Sequence, residues 1–477
     1  MKKLVSALLA ALMLLTLAAC GGDANAPGNS GSQGGEGKNT QLPTIDQIKL
    51  GEDYQDITAT VKILTNRTDI VDTTYKKYAE TFKEMYPNIT VEYEAVTDYE
   101  ESLKLRLTTG DWGDICFMSS SVAKSDMGNY FIPLGTVEAL DPIYNFIADK
   151  AYDGTVYGIA NGGNADGVAY NIAVAEAAGY SADQAKRDAD SSLKPMPATP
   201  DEFLQFLQDI KDKTDAIPLY TNFADAWCVG AWDAYVGIAF TGDQDFRNYK
   251  IAHMANPFAD PGDGTGAYNV YKCLYEAVAR GLVEEDPMST DWEGSKGMIN
   301  RGEIGVMVLG SWAVAQFQQA GDNPQDIGYM PFPITVKNAE GKRVTSAGGN
   351  YSYAINSKTS TDQQIASMLY VKWLLDASPI FEDEGCIPAR KDAALPAFLA
   401  SFEGIELLAN NPAPAGHEDD FDTVNLESEV GISNDNYPDA NIVECAMQKN
   451  KEFSAIMDEW NAKWSKAQES KGMEIEF

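Results

Sequence analysis

Trp312 follows Gly310-Ser311 at the end of the apolar run "IGVMVLG" and precedes the alanine-rich, helix-compatible segment "AVAQF". Small residues usually turn a chain between strand and helix, so an indole at that joint is either core packing or a platform for something arriving from outside. Trp227 and Trp232 raise the same choice; they lie five apart, so a helix there would turn only one of them to a given face. Other chemistries are easier to exclude. His253 and His417 are the chain's two histidines, too few for a histidine-rich metal centre. Beyond Cys20, the cysteines Cys116, Cys228, Cys273, Cys386 and Cys445 are scattered, odd in number and without CxxC spacing. That pattern argues against a disulfide framework or structural zinc and for buried free thiols. The segments "HEDDFD" and "NDNYPDAN" do not fit a calcium loop. "GGEGKN" lacks the hydroxyl residue after Lys38 and a preceding strand, so it is no phosphate loop. The expectation is no cofactor and no metal. With 71 acidic residues, an apparent carboxylate pair carries no information about glycoside hydrolysis by itself.

The formal net charge is −35, which repels phosphate backbones and excludes nucleic acid as a partner. Hydrophobic residues make up 44 % of the 477, enough for two domains with sizeable cores. The opening "MKKLVSALLAALMLLTLAAC" has two lysines, a short apolar run and small residues before Cys20, which is a signal peptide over 1–20. Leu17-Ala18-Ala19-Cys20 resembles the bacterial lipobox, in which the cysteine is lipidated and becomes the mature N-terminus; ordinary cleavage with Cys20 incidental is the alternative. Residues 21–56 begin rich in Gly, Ser, Asn and Pro and read as a flexible tether and lead-in. The body is then expected outside the cytoplasmic membrane, extracellular or periplasmic, held by a lipid anchor.

Elements that would position these residues follow in order. "ITATVKIL" alternates as a strand, "VDTTYKKYAETFKEMYP" is apolar at helical spacing, "ITVEYEAV" is a strand, "DYEESLKLRLTTG" a helix and "DICFMSSS" a strand. This β-α-β-α-β order opens an α/β sheet. "ATPDEFLQFLQDIKD" is a helix announced by Thr199 as N-cap, Pro200 in the first turn and Glu202 completing a capping box. Residues 415–440 read as a polar acidic stretch, and "AMQKNKEFSAIMDEWNAKWSKAQ" as one closing helix. Trp112, Trp373, Trp460 and Trp464 are assigned to packing or surface.

Four stretches in this order carry a resemblance: "DGTVYGIANGGNADGVAYNIAVAEAAG", "PATPDEFLQFLQDIK", "INRGEIGVMVLGSW", and "AGGNYSYAINSKT" with "ASMLYVKWLLD" and "GCIPAR". Together, behind a lipobox, they resemble the extracellular solute-binding proteins of bacterial ABC importers that bind sugars and oligosaccharides. The resemblance covers the chain from about residue 57 onward. It implies an α/β, two-lobed periplasmic-binding-protein-like fold with crossing hinge strands near 160–168 and 343–350. Lobe one would be 57–163 plus 348–405, and lobe two 164–343 plus 406–470. The implied partners are a carbohydrate ligand and the permease subunits of an ABC transporter; a monomer is expected. Binding of a non-sugar solute and a secreted glycoside hydrolase are the alternatives, and a calcium-dependent surface scaffold is a third class.

A sugar presents apolar C–H faces ringed by hydroxyls, so its cleft needs aromatic platforms and fixed polar groups. On the resemblance, the platforms are Trp312 and one of Trp227 and Trp232. Asn66 and Arg67 after the first strand, and Ser119 and Ser120 after the third, offer hydrogen bonds, or else cap their own loops. Asn164 and Asp166 fall in the first hinge segment, where Asp166 either accepts from a hydroxyl or satisfies a turn. Asn350 and Tyr351 follow Gly348-Gly349, and Arg390 donates either to ligand or to a structural ion pair.

Overall fold

The computed structural model describes Leu42–Phe477 apart from residues 119–121, 335 and 434–437. Ser119, Ser120, Cys20, the signal segment and the tether up to residue 41 lie outside the described residues.

The opening β-α-β-α-β order is present. Strand Ala59–Thr65 alternates so that Val61 and Ile63 point inward, and it pairs in parallel with Ile89–Ala95 and with Ile115–Met118. Helices Lys76–Met85 and Tyr99–Thr109 make the two crossovers that parallel neighbours require. Ser352–Ile355 and Ile159–Ala160 extend this sheet antiparallel. Helix Thr361–Asp376 covers it, with Tyr370 and Trp373 against Phe82.

A second sheet is built on strand Gly163–Asn171. Ile304–Gly310, Ile327–Pro331 and Val344–Gly349 all pair antiparallel with it, while Ile217–Leu219 and Glu406–Leu408 lie at the edges. Its largest core gathers Phe203, Trp232, Tyr271, Trp460 and Trp464. A third cluster, with Leu309, Tyr329, Ile387 and Phe402, sits behind the strand that ends at Gly310.

The chain passes from one sheet to the other at 160–163 and returns at 349–352. The two passages run side by side: the Asn350 N–H donates to the Gly162 carbonyl and the Asn161 N–H to the Tyr351 carbonyl, each at 2.9 Å. Gly163 exchanges a backbone pair with Ile387 at 2.8 Å, adding a third segment. Glycine is favoured at the first passage. Gly162 has φ +132, and a Cβ on Gly163 would stand 2.1 Å from the Phe146 ring. This is the expected two-lobed α/β architecture with crossing hinge strands.

Local expectations were corrected at three places. The closing helix is two: Pro438–Gln448 and Phe453–Lys471, separated where Lys449 takes φ +50 and Glu452 is extended. The acidic stretch contains the helix Asp420–Ser428. Thr199 caps Pro200–Lys213 as expected, but the Glu202 carboxylate accepts from the Ala198 N–H at 2.8 Å, one residue before the N-cap. All five described cysteines are free, four of them buried, with Cys445 partly exposed. Trp112, Trp373, Trp460 and Trp464 are buried packing residues. Among the described residues no helix is long and apolar enough to cross a membrane.

Candidate functional site

The strand Ile304–Gly310 ends beside the crossing strand, with Gly310 paired to Asp166. The Ser311 N–H donates to the Ala165 carbonyl at 3.0 Å, and the Ser311 hydroxyl accepts from the Ala165 N–H at 3.1 Å. These bonds fix the turn, and Trp312 comes next with helical dihedrals at the start of helix Ala313–Gln319. Its indole folds back over Gly310, where a Cβ would lie 2.7 Å from the ring. Small residues do turn the chain; they do so to seat the Trp.

Trp312 is half-buried and belongs to a cluster of three indoles. Its ring centroid is 5.6 Å from that of Trp292 and 5.8 Å from that of Trp227, and the last two are 5.1 Å apart and edge-on. Trp227 leaves 40 % of its surface exposed. Lys296, on the helix begun by Trp292, holds its ammonium 4.9 Å from the centre of that ring. The result is an aromatic shelf with a cation at its rim.

Next to the shelf opens a cleft of about 320 Å³, lined by Trp312, Asn164, Asp166, Ser346, Arg247 and Asn410 among others. Ser346 donates its hydroxyl to the Asp166 carboxylate, and Asn164 donates its amide to Asn350. Burial pushes Asp166 up to about 7, with the Ser346 hydrogen bond opposing it. Burial likewise lowers Arg247 from the usual guanidinium range, with Asp233 opposing. Arg247 Nη1 and Asn410 Oδ1 are buried without a hydrogen-bond partner, which is costly unless a ligand completes them. Asp233, in the same lining, accepts from the Tyr271 hydroxyl at 2.7 Å and the Ser433 N–H at 2.6 Å. Burial first, then the charge of Asp233, pushes the neighbouring Asp439 well above the usual carboxylate range.

A larger cavity of 590 Å³ lies at the far end of the crossing strand, around Asn171, Asp215 and Arg301. Among the described residues no aromatic side chain lines it. Volume favours that cavity; chemistry favours the Trp312 cleft, where a platform and unpaired polar atoms converge.

Residues 67–379 match the family described as bacterial extracellular solute-binding protein. The chain belongs to that family. Two solved structures of Bifidobacterium animalis subsp. lactis proteins are similar to this solute-binding protein over 90 % of its length and 99 % of theirs. The first is BlMnBP1, a binding protein of an ABC transporter in complex with mannobiose, at 44 % identity and TM-score 0.82. The second is BlMnBP2, a manno-oligosaccharide specific solute binding protein in complex with mannotriose, at 42 % identity and TM-score 0.82. A curated relative, the multiple sugar-binding protein of Streptococcus mutans, is 23 % identical over 305 residues, spanning 62 % of this chain and 66 % of its own length.

The candidates read from the sequence separate in this solute-binding protein. Trp312, Asn164 and Asp166 line the cleft together, and Asn350 reaches it through its bond to Asn164. Trp227 joins the shelf. Trp232 does not: it is 2 % exposed and packs on Phe332 in the second core, because the chain turns to a tighter helix over Gly230–Tyr235. Arg390 is not in the cleft lining; it pairs with Asp392 at 2.8 Å and Asp376 at 3.5 Å, the ion-pair alternative. Arg67 pairs with Asp69 and Glu384. Burial pushes Asp69 up, but the Arg67 hydrogen bond and charge, with a smaller contribution from Lys296, leave it below its usual range. Asn66 Oδ1 is buried without a partner in the same loop. Tyr351 packs edge-on against Tyr99.

Trp292, Ser346, Arg247, Asn410 and Asp233 were not legible as site residues. Trp292 had a usable signal, an indole directly after the N-cap Asp291 and thus at a helix mouth. Arg247, within "DFRNYK", had none.

Proposed function

We propose that this solute-binding protein captures a mannose-based oligosaccharide between its lobes and presents the closed form to the permease of an ABC importer. The observation that carries the reading is the Trp312 shelf abutting a cleft whose buried Arg247 and Asn410 have hydrogen-bonding atoms to spare. Pyranose C–H faces stack on indoles, and hydroxyls complete amide, carboxylate and guanidinium groups. The ligands of BlMnBP1 and BlMnBP2, at 44 % and 42 % identity, support mannobiose and mannotriose as the first sugars to test. Trp312 and Trp227 serve as platforms; Asn66, Arg67, Asn164, Asp166 and Asn350 serve as hydrogen-bonding groups.

The lobes we assign are 57–163 with the 348–390 region, and 164–343 with the C-terminal residues to 470. The packing of Leu399 and Phe402 in the cluster with Tyr329 favours returning the chain to the second lobe before 397. Cys20 is the proposed lipid attachment site, which would hold a monomer at the outer face of the membrane. A Cys20→Ser chain released from the membrane fraction would agree; an unchanged distribution would sink the anchor.

The binding claim is tested by calorimetric titration with mannobiose, mannotriose and maltotriose. Saturable 1:1 binding of the manno-oligosaccharides, with the sugars recovered intact, is expected. No binding would overturn the ligand class, and cleavage products would overturn binding without chemistry.

A further inference from the structure

The chain's two histidines, distant in sequence, meet on one carboxylate oxygen. His253 Nε2 lies 2.9 Å from Asp420 Oδ2, and His417 Nδ1 lies 2.7 Å from the same atom. His253 Nδ1 lies 2.8 Å from the Glu474 carbonyl oxygen. A carbonyl only accepts, so Nδ1 carries the ring hydrogen. In the neutral imidazole, Nε2 is then a lone pair facing a carboxylate lone pair, an arrangement that holds only with a cation between them. A second proton on the ring is one such cation; a metal ion is the other.

We propose that His253, His417 and Asp420 form a binding site for one divalent transition-metal ion of the zinc class. One ligand atom from each residue falls within 4.8 Å of the other two. Two imidazoles and a carboxylate are a zinc-type donor set with a fourth position left for water, and nitrogen donors disfavour calcium and magnesium. The Glu474 carbonyl fixes the tautomer of His253 as outer partners of metal-bound histidines do. The Tyr249 ring packs against both imidazoles, at 4.6 Å and 5.2 Å between centroids, and its hydroxyl donates to Glu476 at 2.8 Å. The two nitrogen–oxygen separations, 2.9 Å and 2.7 Å, are about 0.5 Å shorter than those between ligands on one tetrahedral zinc, so binding opens these two contacts slightly. His417 supplies that movement and the entry path: its side chain is 41 % exposed, against 3 % for His253.

The three residues come from the turn Lys250–His253, from the start of helix Asp420–Ser428 and from the loop before it; the carbonyl comes from the C-terminal tail. None of the three lines the Trp312 cleft. They are coupled to it, since Arg247 lies over the Phe421 ring at 4.2 Å. The ion would therefore tie the turn that holds the tail carbonyl to the helix whose Phe421 packs on Arg247, independently of which sugar binds.

The test is zinc titration by calorimetry of the untagged protein after chelator treatment, with cobalt absorption spectra as a second readout. One zinc per chain, tetrahedral cobalt bands and a melting temperature raised by the metal are expected. His417→Ala and Asp420→Asn, each checked for native circular dichroism, should weaken zinc at least 100-fold and abolish the cobalt bands. No saturable binding by the wild type, or wild-type affinity retained in both variants, overturns the site. His417→Gln takes the place of His417→Ala, with the same two outcomes, should the alanine variant fold poorly.

Discussion

Trp312 is useful because its neighbours are small: Gly310 lets the indole fold back, and Ser311 ties the turn to Ala165. The ring stays partly exposed, so Trp312→Ala removes a stacking surface rather than a core. We expect affinity for mannotriose to fall about 10- to 100-fold, the value of ~1.5–3 kcal/mol of lost apolar contact, while the urea midpoint hardly moves. Trp232→Ala is the contrast. Its indole is buried against Phe332, so unfolding free energy should drop by ~3–5 kcal/mol. If the two variants behaved alike, the distinction between platform and core would be wrong. Asp166 makes a separate prediction. Burial raises it to about 7 in the folded protein, against ~3.9 in an unfolded chain. Between those values the folded state keeps a proton that the unfolded state releases. The stability from this group is complete below about 4 and is lost as pH rises towards 7, by up to ~1.4 kcal/mol per pH unit. Comparing urea midpoints at pH 5 and 7.5, wild type should lose stability relative to Asp166→Asn. A constant difference would mean that Asp166 is ionised throughout.

At the scale of elements, the crossing segments are constrained by packing rather than by propensity. A methyl on Gly163 would meet the Phe146 ring, whereas one on Gly348 meets nothing within 4 Å. Gly163→Ala should therefore cost ~1–3 kcal/mol, as overpacking does, and Gly348→Ala within ~0.5 kcal/mol. Thermal denaturation of both variants checks this, and equal melting temperatures would refute the assignment of strain to the Phe146 contact. The opening parallel strands and their helices were legible because period-2 and period-3.6 patterns alternate cleanly there. The break at Lys449 was not: "QKNKEF" contains neither Gly nor Pro, and its left-handed residue is set by how the two helices pack. Helix Asp420–Ser428 was hidden for a related reason. Four acidic residues precede or open it, and only Phe421 and Val424 mark its buried face.

For the whole molecule, the two sheets are joined by a few adjacent extended segments, so rotation about them is the soft motion. Ligand shifts the open–closed equilibrium only by binding the closed form better. Small-angle scattering should show a smaller radius of gyration on saturation with mannotriose. Hydrogen exchange should also slow at 161–163 and 349–351. Binding without either change would leave a rigid cleft in place of a hinge.

The sequence by itself determined what depends on local pattern and order: an α/β chain, a Trp at a strand-to-helix turn, glycines in the crossings, and an ordered set of stretches that marks the family. Patterns of that kind survive because each residue's role is set by neighbours within a few positions. Tertiary structure decided everything that requires distant segments to meet. It sent Trp232 to the core and Trp227 to the shelf, committed Arg390 to Asp392, and recruited Trp292, Arg247 and Asn410. It also brought His253 to His417, which the histidine count had set aside as too few for metal chemistry. Spacing along a chain is silent about such meetings, because convergence in space is fixed by the packing of whole elements.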